Sequence, residues 1–166
     1  GGRDAWCQVF EATDDAGWCR ARAGGLTRTL VAGPGHLLDL VEFEAEAECW
    51  MDLPWHFNGA IVIESPGRWE SVEWSEPFTA GAERFVPESP DAIAIRVGRP
   101  GVAALSARLL APGAELLRII APGLPGGREQ QPFLLLRSFG QTARWATVID
   151  IAPAGSQRSV TALALG

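Results

Sequence analysis

The sequence predicts an all-β fold, a two-sheet antiparallel β-sandwich, and three observations predict it. Short apolar runs recur along most of the 166 residues, many of them alternating with polar positions as half-buried strands do. Turn chemistry separates them: Asp14-Asp15-Ala16-Gly17, Gly24-Gly25, Gly33-Pro34-Gly35, Ser65-Pro66-Gly67, Gly98-Arg99-Pro100-Gly101 and Ala111-Pro112-Gly113. Finally, no stretch of helix length is both free of these breakers and periodic at 3.6 residues.

Taken in order, residues 5–11, 18–23 and 26–32 read as three strands of a meander. Residues 36–43 form a fourth. Its two faces are both apolar, Leu38 and Leu40 on one and Leu37, Val41 and Phe43 on the other, so it is predicted to lie centrally with both sides covered. Beyond it, Glu42, Glu44, Glu46 and Glu48 fall on every second residue. In a strand these carboxylates share one face, and their mutual repulsion predicts a wet outer surface or pairing with Arg.

Residues 60–64 and 68–74 are the next strands, the second with a bulge expected where Trp69 and Val72 break alternation. Residues 75–90 hold Pro77, Pro87 and Pro90 without a sustained period and are predicted to be a long loop. Strands resume at 92–97, 102–110, 114–121, 133–138, 143–151 and 159–165. One inner face is expected to collect Leu38, Leu40, Phe43, Ile61, Ile63, Leu134, Leu136 and Val148.

Composition narrows the classes of function. One core suits a chain of this length, so residues 1–166 read as a single domain. Fourteen Arg, no Lys and 20 acids give a net charge of −6, which argues against nucleic acid, whose binding rests on a basic face. No run of 18 apolar residues occurs, so no membrane partner is expected. Residues 1–4 carry no charged-then-apolar leader, and the chain reads as an excised piece. Cys7, Cys19 and Cys49 are odd in number and lack C-x-x-C spacing, so free thiols are favoured over a Cys7–Cys19 bridge.

Chemistry-bearing side chains gather in one stretch, Cys49-Trp50-Met51-Asp52-Leu53-Pro54-Trp55-His56-Phe57-Asn58-Gly59, with two of seven Trp and one of two His. Indole faces stack on sugar rings and imidazole is the commonest metal ligand. Trp50 and Trp55 are therefore candidate stacking residues, Asn58 a polar contact to the same ligand, and His56 a candidate metal ligand. An alternative for these aromatics is the core, with His56 hydrogen-bonded and buried.

Several segments, in their order, carry a resemblance. Arg28-Thr29-Leu30-Val31, the Gly33-Pro34-Gly35 turn, Leu37-Leu38-Asp39-Leu40-Val41, Met51-Asp52-Leu53-Pro54-Trp55-His56-Phe57 and the late run from Phe133 to Val148 resemble the C-terminal β-sandwich region of heparinase II/III-like polysaccharide lyases. The resemblance implies a fragment or accessory domain of a larger lyase, periplasmic or secreted, that scaffolds or lines a cleft for an acidic polysaccharide. It also implies a missing α/α toroid domain or companion chain. His56 resembles a position that in some members helps hold a structural metal, so zinc is implied in the parent protein and none is expected for the isolated chain, since one ligand makes no site. The family's acid–base pair is a Tyr and a His. This chain has no Tyr, so no lyase activity is expected of it alone, and no catalytic residue is assigned. Two other classes of function remain open: an independent carbohydrate-binding module using exposed Trp residues, and a purely structural interaction domain.

Overall fold

The structure, a computed structural model, describes residues 4–57, 59–76, 79–99, 102–122 and 130–150. Among these residues the regular structure is all β, eleven strands in one antiparallel sheet. In chain order they are β1 (Ala5–Ala12), β2 (Gly17–Ala23), β3 (Leu26–Gly33), β4 (His36–Trp55), β5 (Ala60–Ile63), β6 (Gly67–Val72), β7 (Ala82–Pro87), β8 (Ile93–Arg99), β9 (Val102–Leu110), β10 (Glu115–Pro122) and β11 (Gln130–Asp150). The expected strand at 159–165 lies outside the described residues.

Two long strands, β4 and β11, organise the sheet. They pair from His36 opposite Asp150 to Trp55 opposite Leu134. The register breaks once, between Gly140 and Thr142, where Gln141 stands against residues 45–48 of β4. Gly140 has φ +151°, open to glycine but strained for other residues. The break divides the sheet into two limbs. In the first, β1, β2 and β3 lie outside residues 36–44 of β4, while β9, β8 and β5 continue outward from residues 146–150 of β11. In the second, β10, β7 and β6 continue from the early part of β11.

One cluster of buried side chains draws on both limbs: Val41, Ile95, Val97, Ala107, Leu109 and Trp145 from the first, Met51, Phe85, Leu116, Leu134 and Leu136 from the second. The limbs therefore bury their inner faces in a common core, while pairing of β4 with β11 on both sides of the register break joins them by hydrogen bonds. Burying each such aliphatic side chain contributes about 1.5–3 kcal/mol. The odd count at Gln141 has a consequence for β11. Inward residues are even-numbered before it (Leu134, Leu136) and odd-numbered after it (Trp145, Thr147).

Four expectations are corrected. Leu38, Leu40 and Val148 are not in the core. They share the opposite face of the first limb from Val41 and Trp145, because the inner face of β4 accepts the buried carboxylate of Asp39 once Arg28 pairs with it. Phe43, Ile61 and Ile63 do pack against the core, and Leu134 and Leu136 lie within it. Residues 82–87, expected in a loop, are strand β7, since pairing with both β6 and β10 outweighs the local signal of the prolines. The expected bulge in β6 is absent: its register with β7 is continuous. Trp69 faces Phe85 in the main core and Val72, opposite Ala82, packs on the second cluster of buried residues, so β6 carries an apolar residue on each side. Residues 133–138 and 143–150 belong to one strand, β11.

The acidic run is wet, as the repulsion requires. Glu44, Glu46 and Glu48 are exposed at the register break, and Glu42 meets Arg20 at 3.7 Å and Arg144 at 3.4 Å. The three cysteines are free, Cys7 lying opposite Ala21 and Cys19 opposite Phe10.

Candidate functional site

The outer face of the second limb gathers the largest set of chemically distinctive side chains. Alternation sends Met51, Leu53 and Trp55 of β4 inward, so Trp50 and Asp52 point outward. Antiparallel pairing then sets Trp50 beside Phe139 and Asp52 beside Arg137. Further across, Leu117 and Ile119 of β10, Leu135 of β11 and Ala82 of β7 make a small second core, with Val72, Trp74 and Phe133 packed on it.

Arg137 is the centre of this face. Its Nε donates to Asp52 Oδ1 at 2.7 Å and its Nη2 to Oδ2 at 2.6 Å, a bidentate clasp between adjacent strands. The guanidinium also lies 5.2 Å from the Trp50 ring centroid and 4.5 Å from that of Trp74. Cation–π contacts of this kind contribute about 0.5–2 kcal/mol each, more as water is excluded. The bond to Asp52 is the main reason the Arg137 pKa is raised. Glu76 and Glu115 add to it through space, and burial opposes it.

A row of alternating charge continues across the limb. Arg84 donates to Glu115 at 2.9 Å and to Glu70 at 3.1 Å, and Arg68 donates to Glu70 at 3.0 Å. These donors hold the Glu70 carboxyl below its ordinary value, Arg84 having the largest effect. Each guanidinium in the row already holds a carboxylate.

Trp50 is 59% exposed although it is fixed on two sides, by Arg137 and by Phe139, whose centroid is 5.1 Å away at 60°. Phe139 is likewise exposed. The two rings form an open wedge on the surface, bordered by the clasp. Such a surface offers ring faces to C–H groups, and Asp52 keeps lone pairs for hydroxyl donors.

The sequence-predicted site residues are only partly brought together. Trp50 is in the wedge. Trp55, an odd number of residues away, is on the opposite face, packed against the main core and edge-on to Phe57 at 6.0 Å, so the two indoles form no common platform. Asn58 lies outside the described residues. His56 is exposed, contrary to its expected burial, because it continues the outward side of β4; its ring stacks on Phe133 at 4.6 Å and 23°. Among the described residues, no three His, Cys, Asp or Glu side chains are placed to hold a metal ion, so His56 has no described co-ligands for a zinc centre. His36 begins β4 and His56 follows its end, which leaves no shared imidazole site.

Phe139, Trp74 and the Asp52–Arg137 clasp are the parts of the wedge that sequence reasoning did not assemble. For Phe139 and the clasp the signal is outward parity with Trp50, which has meaning once the pairing of β4 with β11 is known; Trp74, beyond the end of β6, has no such signal. Compared with models of known protein families and with curated protein sequences, the chain matches none.

Proposed function

We propose that this chain is a non-catalytic β-domain that contacts a saccharide through the outer face of its second limb. Within a larger protein of the heparinase II/III-like kind, the same face would line a polysaccharide cleft. The observation that carries the reading is Trp50: a large ring left mostly in water, yet held in place by Phe139 and by a guanidinium that Asp52 fixes. A surface pre-ordered in this way loses little side-chain freedom on binding, and sugar rings present the C–H faces that stack on indole.

The test is titration of the chain with polysaccharides, read by tryptophan fluorescence and calorimetry. Binding is expected to weaken at least tenfold in Trp50→Ala, equivalent to about 1.4 kcal/mol, with the melting temperature almost unchanged. Unchanged affinity in Trp50→Ala and Phe139→Ala would remove the reading. A second reading, a protein-interaction domain, is favoured by β1, whose one side carries no strand among the described residues and whose Trp6 and Phe10 are exposed. It gains if Trp6→Ala abolishes a protein contact while saccharides fail to bind.

A further inference from the structure

We infer that the Trp50–Phe139 wedge selects an uncharged saccharide and discriminates against polyuronates. This rests on the saccharide reading above and departs from the acidic ligand that the sequence resemblance implies. A uronate carboxylate is normally captured by a guanidinium fork with free donors. Here the fork of Arg137 is taken: Nε and Nη2 both donate to Asp52, and the group lies between Trp50 and Trp74. Arg84 and Arg68 are likewise engaged with Glu115 and Glu70. A polyuronate reaching Arg137 would either replace Asp52 on that edge or use the remaining Nη hydrogens, in both cases with the Asp52 carboxylate facing its own.

The surroundings add to the repulsion. Glu76 lies close enough to Arg137 to act on its pKa, as does Glu115, whose charge Arg84 already offsets. Glu44, Glu46 and Glu48 sit exposed just ahead of Trp50, with no Arg partner among the described residues. Exposed acids thus share with Trp50 the strand that carries it, in a chain of net charge −6. What the wedge does offer, two ring faces and a carboxylate able to accept from hydroxyls, suits a neutral sugar ring.

The experiment uses matched polymers: alginate, polygalacturonate and hyaluronan, each beside its own carboxyl-reduced form, titrated against the chain and against Trp50→Ala and Asp52→Asn. At least one reduced polymer is expected to bind at least tenfold more tightly than its parent. Raising the salt should narrow that gap, because screening weakens the repulsion. Trp50→Ala should lose binding of both. Asp52→Asn releases the Arg137 fork and should reverse the preference toward the parent. A parent polyuronate binding the wild type as well as its reduced form, or more tightly with salt weakening it, overturns the inference and leaves the saccharide reading standing. An unreversed preference in Asp52→Asn overturns the clasp as the selector. If no polymer binds the wild type, or Trp50→Ala binds as well, the saccharide reading itself fails and this inference with it.

Discussion

Two Arg–Asp clasps join neighbouring strands, one in each limb, and they are opposites in burial. In the first limb Arg28 holds Asp39 at 2.9 and 2.7 Å. In the second Arg137 holds Asp52 at 2.7 and 2.6 Å. The Asp39 side chain is only 5% exposed while that of Arg28 is 46%; for Asp52 and Arg137 the figures are 36% and 19%. The same bidentate chemistry therefore hides the carboxylate in one case and the guanidinium in the other. A hidden carboxylate with a wet partner is a strut within the sheet. A hidden guanidinium, braced by two indoles, turns a carboxylate outward, where it meets whatever approaches Trp50.

Removing the wet partner of each clasp separates these roles. Arg28→Ala strands a buried carboxylate and should be the most costly, about 3–5 kcal/mol in chemical denaturation. Asp39→Ala leaves an Arg that can turn to water, so about 1–2 kcal/mol is expected. Equal losses for the two variants would show that burial does not set the asymmetry. In the second limb the order of the charge effect inverts. Asp52→Ala leaves Arg137 partly buried without its partner, at about 1–2 kcal/mol, and should also impair saccharide binding. Asp39→Ala should leave that binding intact in the fraction still folded, a difference that calorimetry would read directly.

The two limbs also differ in how much of them a single sequence disclosed. The all-β class, most strand positions and the tight turns were legible, because period-two alternation and turn residues act locally. Gly24-Gly25 joins β2 to β3 directly, and Gly25 has no room for a side chain, since a Cβ there would stand 1.9 Å from the Glu44 carbonyl oxygen. The inner face of β4 was not legible. Asp39 reads as an outward residue until Arg28 is known to be its neighbour, and that neighbour is fixed by the β3–β4 register. Strand β7 was hidden for a related reason, its stability coming from partners on both sides and not from its own residues. The wedge depended on the longest-range information of all. Trp50 and Phe139 are 89 residues apart, and nothing in either stretch names the other.

The smallest effect expected is in the charge row that runs from β6 toward Arg137, and it completes the contrast with the buried strut. Glu70 lies between Arg68 and Arg84, and their donated hydrogen bonds pull its pKa below the ordinary 4.5. A carboxyl whose folded pKa is depressed contributes stability above its unfolded pKa and loses it as pH falls through the folded value. Glu70→Gln should therefore destabilise the chain slightly at pH 7, and the difference from wild type should fade as the pH drops below about 4.5, where the unfolded chain already binds the proton. The Glu70 side chain is 33% exposed, so salt should shrink the same difference at constant pH. Thermal melts of the two proteins at pH 7 and pH 3, each at low and high salt, measure both dependences. A difference that persists at pH 3 would mean that Glu70 contributes through packing, not charge. The row would then be a second strut like Arg28–Asp39, and not the soft, wet rim that a neighbouring ligand surface requires.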